Sequence, residues 1–147
     1  MLSTLAAQYY SEEDVSEGLR LQIAECLKRA KNIIGAKAMS IIESNYEFHD
    51  WYIKSFYIQS VRHDHFCEIL LYNHVKCYNM IFENVHSIVN IGNLVTPLAN
   101  YPKTISDPSF AQVLDVWFDY HGILECCLLL DSQRYIIIET KKIHFRE

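Results

Sequence analysis

The stretch that decides the fold class is NYEFHDWYIKSFYIQSVRHDHFCEILLYN, residues 45–73. Aromatic and β-branched side chains are dense here, which favours strands, because such side chains pack well on a pleated sheet surface. The first predicted strand carries apolar side chains on both faces: Tyr52, Phe56 and Ile58 on one, and Trp51, Ile53 and Tyr57 on the other. Residues 62–64 form a polar turn, and residues 65–72 are predicted to return as the second strand.

Upstream of Asn45 the apolar period changes from two to that of a helix. Steps of three and four relate the apolar residues Val15, Leu19, Ile23, Leu27, Ala30, Ile34, Ala38 and Ile41. This spacing predicts helix over residues 11–44, with Ser11 as its cap and the following acidic cluster at the positive end of the helix dipole. Gly35 weakens the pattern, so the segment is one long helix or two that meet near residues 32–35.

Downstream, the chain continues as a β meander over residues 46–90. Its third strand lies within residues 76–89 and contains a bulge or a change of direction near Glu83 and Asn84. Residues 91–109 hold all three prolines and are predicted to be a long connection or flap. Hairpins over residues 111–146 follow, with strands at 112–120, 123–130 and 134–145.

These elements predict one α+β domain spanning residues 1–147, because a chain of this length suits a single core. An N-terminal helical layer is expected to pack on an antiparallel sheet of about six strands.

The composition restricts the partners that the protein is expected to have. The net charge of −5 disfavours nucleic acid, which is bound by neutralising phosphates with Lys and Arg. An acidic balance helps to attract a basic protein, although solubility alone also accounts for it. No apolar run approaches the roughly 20 residues of a membrane span, so no membrane association is expected.

Five cysteines are present, an odd number, and no CxxC motif occurs. All of them lie in apolar strands or on the helix, where they are expected to be buried as small hydrophobic side chains. Free thiols and the lack of a secretion signal predict the cytoplasm.

No motif for catalysis or nucleotide binding is found, so no catalytic residue and no cofactor are predicted, and an enzyme is not expected. His63 and His65 can share a strand face near His49, but no third ligand stands at a fixed spacing, so no metal site is predicted. Asp115 and Asp119 flank Trp117 on one predicted strand face. Such a face suits the docking of a basic protein, or is simply solvated.

Two elements of the sequence resemble bacterial immunity proteins encoded beside polymorphic toxins, including those of contact-dependent growth inhibition systems. The resemblance covers residues 45–90. Its elements are an opening FHD before the first strand and a later F-x-N-V-x-x-I, and the matching residues are Phe48, His49, Asp50, Phe82, Asn84, Val85 and Ile88.

The resemblance implies an inhibitor that binds a cognate toxin domain, often a nuclease, and blocks its active site or substrate entry. An acidic surface would suit a basic toxin domain, because complementary charge speeds association and adds selectivity. The candidate partner-binding residues are Asp50, Glu68, Glu83, Asp115, Trp117, Asp119 and Glu125.

Two alternatives stay open at this point. The first is a small ligand- or metal-binding domain or enzyme that uses the 90–109 flap and the group His49, His63 and His65. The second is a structural subunit of a larger complex.

Overall fold

A computed structural model of the protein describes residues 2–12, 14–91, 103–105, 112–131 and 134–147. Its helices are α1 (Leu2–Ser11), α2 (Glu17–Ile34) and α3 (Ala36–Ser44), followed by a 3₁₀ turn at Tyr46–Phe48. Within these ranges, no helix combines the length and the apolar character that crossing a membrane requires.

The strands of the described residues form two antiparallel sheets. They are β1 (Tyr52–Val61), β2 (Asp64–Tyr72), β3 (Cys77–Glu83), β4 (Ser87–Ile91), β5 (Lys103–Ile105), β6 (Val113–Tyr120), β7 (Leu124–Leu130), β8 (Arg134–Thr140) and β9 (Lys142–Arg146). The first sheet has the order β5-β1-β2-β3-β9, and the second has the order β4-β8-β7-β6. The α+β class is confirmed, but the expectation of a single layer of about six strands is wrong.

The two sheets arise because two chain segments bend together from one sheet into the other. β3 pairs with β9 as far as Glu83 and Lys142, and the ladder resumes between β4 and β8 at Ser87 and Glu139. Residues 84–86 therefore lie opposite only residues 140–141, and such an excess of residues bends a ladder as a β-bulge does. The predicted change of direction near Glu83 and Asn84 is confirmed. The prediction of one strand over residues 134–145 is wrong, since that strand ends at Thr140 and the next begins at Lys142.

The 91–109 segment, predicted to be a connection, contains β5, which pairs with β1 between Phe56 and Ile105. Its other residues beyond Ile91, including the three prolines, lie outside the described residues.

The second sheet is covered on both faces, which explains why every residue of β7 is buried. Its inner face contributes Phe118, Cys126 and Leu128 to the main core, which it shares with the first sheet. Its outer face contributes Trp117 and Cys127 to a second core beneath α1 and α2. The neighbouring cysteines thus point to opposite faces, as expected for consecutive strand residues.

The helical boundaries differ from the predicted ones at the N-terminal end. Ser11 is the last residue of α1 rather than a cap, and the cap of α2 is Ser16, whose Oγ accepts a hydrogen bond of 3.1 Å from the backbone N–H of Leu19. Acidic residues lie beside both serines, so the charge pattern does not show which serine is the helix cap. Gly35 has φ +88° and separates α2 from α3, so the two-helix alternative is confirmed.

The predicted faces of β1 are wrong because the strand contains an irregularity. The pairing with β2 shifts between Ile53 and Ser55, which changes the parity of the strand. Ile53, Phe56 and Ile58 are consequently the buried side chains of β1, whereas Tyr52 is half-buried.

Candidate binding cleft

A cleft of about 470 Å³ lies where the 3₁₀ turn and the start of β6 face α1 and α2. Its ionisable lining residues are Arg20, Glu47, His49 and Asp115, and its aromatic lining residues are Tyr9, Tyr46 and Trp117. We call this the acidic cleft. Ligand sites commonly combine concave shape, aromatic walls and a few convergent polar groups in this way.

An unusual backbone conformation forms one side of the acidic cleft. Tyr46, Glu47 and Phe48 have φ values of 52°, 54° and 58°, in the left-handed region that costs a non-glycine residue roughly 1–2 kcal/mol. Phe48 holds the turn in place: its buried ring packs edge-to-face on Trp51 at 5.0 Å and stacks on Phe145 at 5.4 Å. The anchored turn places Glu47 in the cleft wall and leaves Tyr46 79% exposed at its rim.

Asp115 also lines the cleft and is fixed by two hydrogen bonds. Its Oδ2 accepts from the indole Nε1 of Trp117 at 2.9 Å, and its Oδ1 accepts from the backbone N–H of Val116 at 2.9 Å. The pairing of β6 with β7 shifts between Val113 and Asp115, an irregularity of the kind that redirects side chains. Burial raises the pKa of Asp115, and the two hydrogen bonds and His49 offset this only in part.

Glu47 is affected by the same surroundings. Burial raises its pKa, and the negative charges of Asp115 and Glu43 raise it further. Burial thus opposes ionisation of both carboxyl groups, and a cation placed beside them would favour their charged forms.

His49 joins the turn to β6. Its Nδ1 lies 2.6 Å from the carbonyl oxygen of Leu114, so Nδ1 carries a proton and donates it. Its Nε2 lies 3.5 Å from Oδ2 of Asp50, whose Oδ1 accepts a hydrogen bond of 3.0 Å from Gln112. Asp50 is a predicted partner-binding residue, and its side chain is 65% exposed beside the cleft.

Of the other predicted partner-binding residues, three are buried on the second sheet. Trp117 and Asp119 lie beneath α1 and α2, and Asp119 is ion-paired with Arg29. Glu125 is 8% exposed, and its carboxylate accepts from the backbone N–H of Leu2 at 3.4 Å. The interpretation of residues 115–119 as an exposed strand face is therefore wrong, because the helical layer covers that face. Trp117 reaches a ligand only through the cleft.

Glu68 and Glu83 belong to the first sheet, and the structure does not bring them to the acidic cleft. Glu68 is ion-paired with Arg146 at 2.8 Å, and Glu83 lies 3.7 Å from the imidazole of His144. Both carboxylates are half-buried and already have a neighbouring cationic or ionisable group.

The structure also separates the predicted histidine group. His49 precedes β1, whereas His63 follows its other end and His65 lies on β2 opposite Ser60, and ten strand residues span roughly 30 Å. His63 and His65 instead border a depression with His86 and Lys141. Among the described residues, no three His, Cys, Asp or Glu side chains come together as metal ligands would.

The cysteines differ from the expectation at one position. Cys26, Cys67, Cys126 and Cys127 are buried, but Cys77 is exposed at the start of β3. Burial raises the pKa of the Cys26 thiol to about 11, so this thiol stays protonated at neutral pH.

The acidic cleft contains residues that the sequence did not single out, namely Tyr9, Arg20, Tyr46 and Glu47. These residues come together because of the left-handed turn and the docking of α1. The turn contains no glycine that would indicate a left-handed backbone, and the docking of α1 has no recognisable sequence signal. The FHD element supplied a partial signal, since His49 lines the cleft, Asp50 lies beside His49 and Phe48 anchors the turn. The F-x-N-V-x-x-I element lies away from the cleft. Phe82 and Val85 are buried, and Asn84, with φ 52°, lies where the chain passes from the first sheet to the second.

No protein-family model and no curated protein matches this sequence. Among solved structures, the chain is similar to an uncharacterized protein from Neisseria gonorrhoeae, with 13% sequence identity and a TM-score of 0.45. The alignment covers 68% of this chain and 93% of that one.

Proposed function

We propose that this protein is an immunity protein that binds a cognate bacterial toxin domain in the cytoplasm and neutralises it by protein–protein inhibition, without catalysis. The acidic cleft is its contact site, and a basic surface segment of the toxin domain is the group that enters it. Asp50, beside the cleft, extends the acidic surface toward the partner.

The observation that supports this proposal is that Glu47 and Asp115 line one cleft in a protein of net charge −5. The pKa values of both carboxyl groups are raised, so a positive charge in the cleft would relieve an existing electrostatic cost. Tyr46, exposed on the rim, is a residue type enriched where protein interfaces concentrate their binding energy.

The test begins with the gene next to the one that encodes this protein. Its product, or the C-terminal domain of that product, is co-expressed with the tagged protein, and the complex is isolated and weighed by light scattering. We expect a 1:1 complex, protection of cells from the neighbour's toxicity, and an association rate that falls with salt. A neighbour that is neither toxic nor bound would refute the proposal.

A second candidate function is favoured by the same cleft. Two carboxyl groups with raised pKa values beside a histidine are also the groups that acid–base catalysis uses, so a small-ligand site or enzyme would be located here rather than at His63 and His65. A thermal-shift screen of small cationic and neutral metabolites separates the candidates. A ligand that is chemically altered during the assay would favour the enzyme.

A further inference from the structure

We propose that the acidic cleft is a receptor for one guanidinium group, so that an arginine side chain of the partner protein is the residue that it binds. This inference rests on the proposed function for the source of the arginine, but the recognition chemistry can be tested without the partner.

Glu47 and Asp115 supply the negative charge of the cleft. The carboxyl groups of Glu47 and Asp115 line the same cleft, and the negative charge of Asp115 is one cause of the raised pKa of Glu47. Asp115 is held in one orientation by Trp117 and Val116, so little conformational entropy is lost when a ligand binds it.

The aromatic lining of the cleft favours a guanidinium over an ammonium group. A guanidinium is planar, weakly hydrated and able to stack on aromatic rings, whereas the lysine ammonium is a compact and strongly hydrated charge. The rings of Tyr9, Tyr46 and Trp117 supply aromatic surface beside the carboxylates. A planar cation can therefore contact an acid and a ring at the same time.

The other ionisable groups that line the cleft are Arg20, His49 and Tyr9. Arg20 lies at its edge and opposes an incoming cation, and protonation of His49 would do the same. The pKa of Tyr9 is raised by burial and by Asp115 and lowered by Arg20, so its hydroxyl stays neutral. Deprotonation of Glu47 and Asp115 supplies the negative charge that attracts the guanidinium. Binding is expected to strengthen as the pH rises through the raised pKa values of these two groups.

The probe is L-argininamide, added to the full-length protein while tryptophan fluorescence and amide NMR shifts are recorded. L-citrulline amide, whose side chain has nearly the same shape but carries an uncharged urea in place of the guanidinium, and L-lysinamide are the matched ligands. We expect saturable binding of argininamide in the millimolar range, since a ligand of about a dozen heavy atoms has little contact area. Lysinamide should bind at least about fivefold more weakly, and citrulline amide should not saturate.

Glu47→Gln and Asp115→Asn should each weaken argininamide binding about tenfold or more, as loss of a charged hydrogen-bond partner does. Arg20→Ala should strengthen binding about two- to fivefold, the effect of removing one exposed like charge. Asp64→Asn, at the far end of β1, changes the net charge equally and should have no effect. Circular dichroism confirms the fold of each variant, and Glu47→Gln and Arg20→Ala keep the test decisive if Asp115→Asn does not fold.

Equal responses to all three ligands, no saturation, or equal affinity in Glu47→Gln would overturn the guanidinium assignment. That result leaves the proposed function to its own test, because an immunity protein can bind through another surface. Conversely, selective argininamide binding by a protein with no toxin partner would support this inference and refute the immunity role.

Discussion

Nε of Arg29, on α2, lies 2.9 Å from Oδ1 of Asp119, on β6. The Asp119 side chain is 2% exposed, whereas that of Arg29 is 47% exposed, so the ion pair joins the helical layer to the second sheet at the edge of its buried face. A residue expected at a partner surface thus serves to dock a helix.

The first prediction concerns this ion pair. Burial would raise the pKa of Asp119, but hydrogen bonds from Arg29 and from the backbone N–H of Tyr120 outweigh it and hold the pKa below its usual value. A carboxyl group whose pKa is lowered on folding contributes stability above its unfolded pKa of about 3.9 and loses it as the pH falls through the folded value. Arg29→Ala should therefore lower the Tm at neutral pH, and the difference from the wild type should shrink under acid conditions.

Lys31→Ala is the matched control, because Lys31 pairs with Glu43 at 3.4 Å between two exposed side chains. Its effect on the Tm should be small at every pH. Equal effects of the two substitutions, measured by calorimetry across the pH range, would show that the pair with Asp119 does not dock α2.

The second prediction concerns Gly35 between α2 and α3. With φ +88° and ψ 157°, this backbone conformation is essentially restricted to glycine, although a Cβ would meet no atom within 4 Å. Gly35→Ala should therefore destabilise the protein by about 1–3 kcal/mol through backbone strain alone. Gly18, near the start of α2, also has open space around it, and Gly18→Ala should stabilise by up to about 1 kcal/mol. Urea unfolding measures both, and a stabilising Gly35→Ala would contradict the conformation.

The helix and strand types were predictable because they follow from apolar spacing. The period changes near Asn45, and the helical segment, the β meander and the first C-terminal hairpin are all present in the structure. The division into two sheets was not predictable, since a change of direction near residues 84–86 and 140–141 does not by itself indicate that the strands on either side pair in different sheets. Burial of Asp119 was missed for a related reason: spacing indicates which residues share a face but not whether a helix covers that face.

The acidic cleft was only half predictable. Asp115 and Trp117 were selected as neighbours on a strand, and Asp50 as part of an acidic surface. Glu47 was not selected, because its position depends on three consecutive left-handed residues and non-glycine side chains give no signal for that conformation.

The third prediction concerns the stability of the cleft itself. Because the pKa of Glu47 is raised on folding, its contribution favours folding most at low pH and is lost as the pH rises through the folded value. Glu47→Gln, which removes the charge, should raise the Tm slightly at pH 7, and the gain should vanish near about pH 3, where the glutamate is protonated. Binding sites commonly carry such a cost in stability.

Asp64→Asn, exposed at the start of β2, is the control for the change in net charge. Differential scanning calorimetry at both pH values measures the effect. A lower Tm for Glu47→Gln at pH 7 would mean that the carboxylate stabilises the turn, contrary to the electrostatics described above.

The fourth prediction tests whether α1 is an integral part of the fold. Leu5 is buried on α1 in the second core, against the outer face of the second sheet, whereas Leu21 on α2 is 62% exposed. Leu5→Ala should cost about 2–4 kcal/mol, since it removes buried methyl groups and leaves a cavity. Leu21→Ala makes the same chemical change at the surface and should stay within about 0.5 kcal/mol of the wild type. Chemical unfolding monitored by circular dichroism compares the two, and near-equal stabilities would mean that α1 does not cover the sheet in solution.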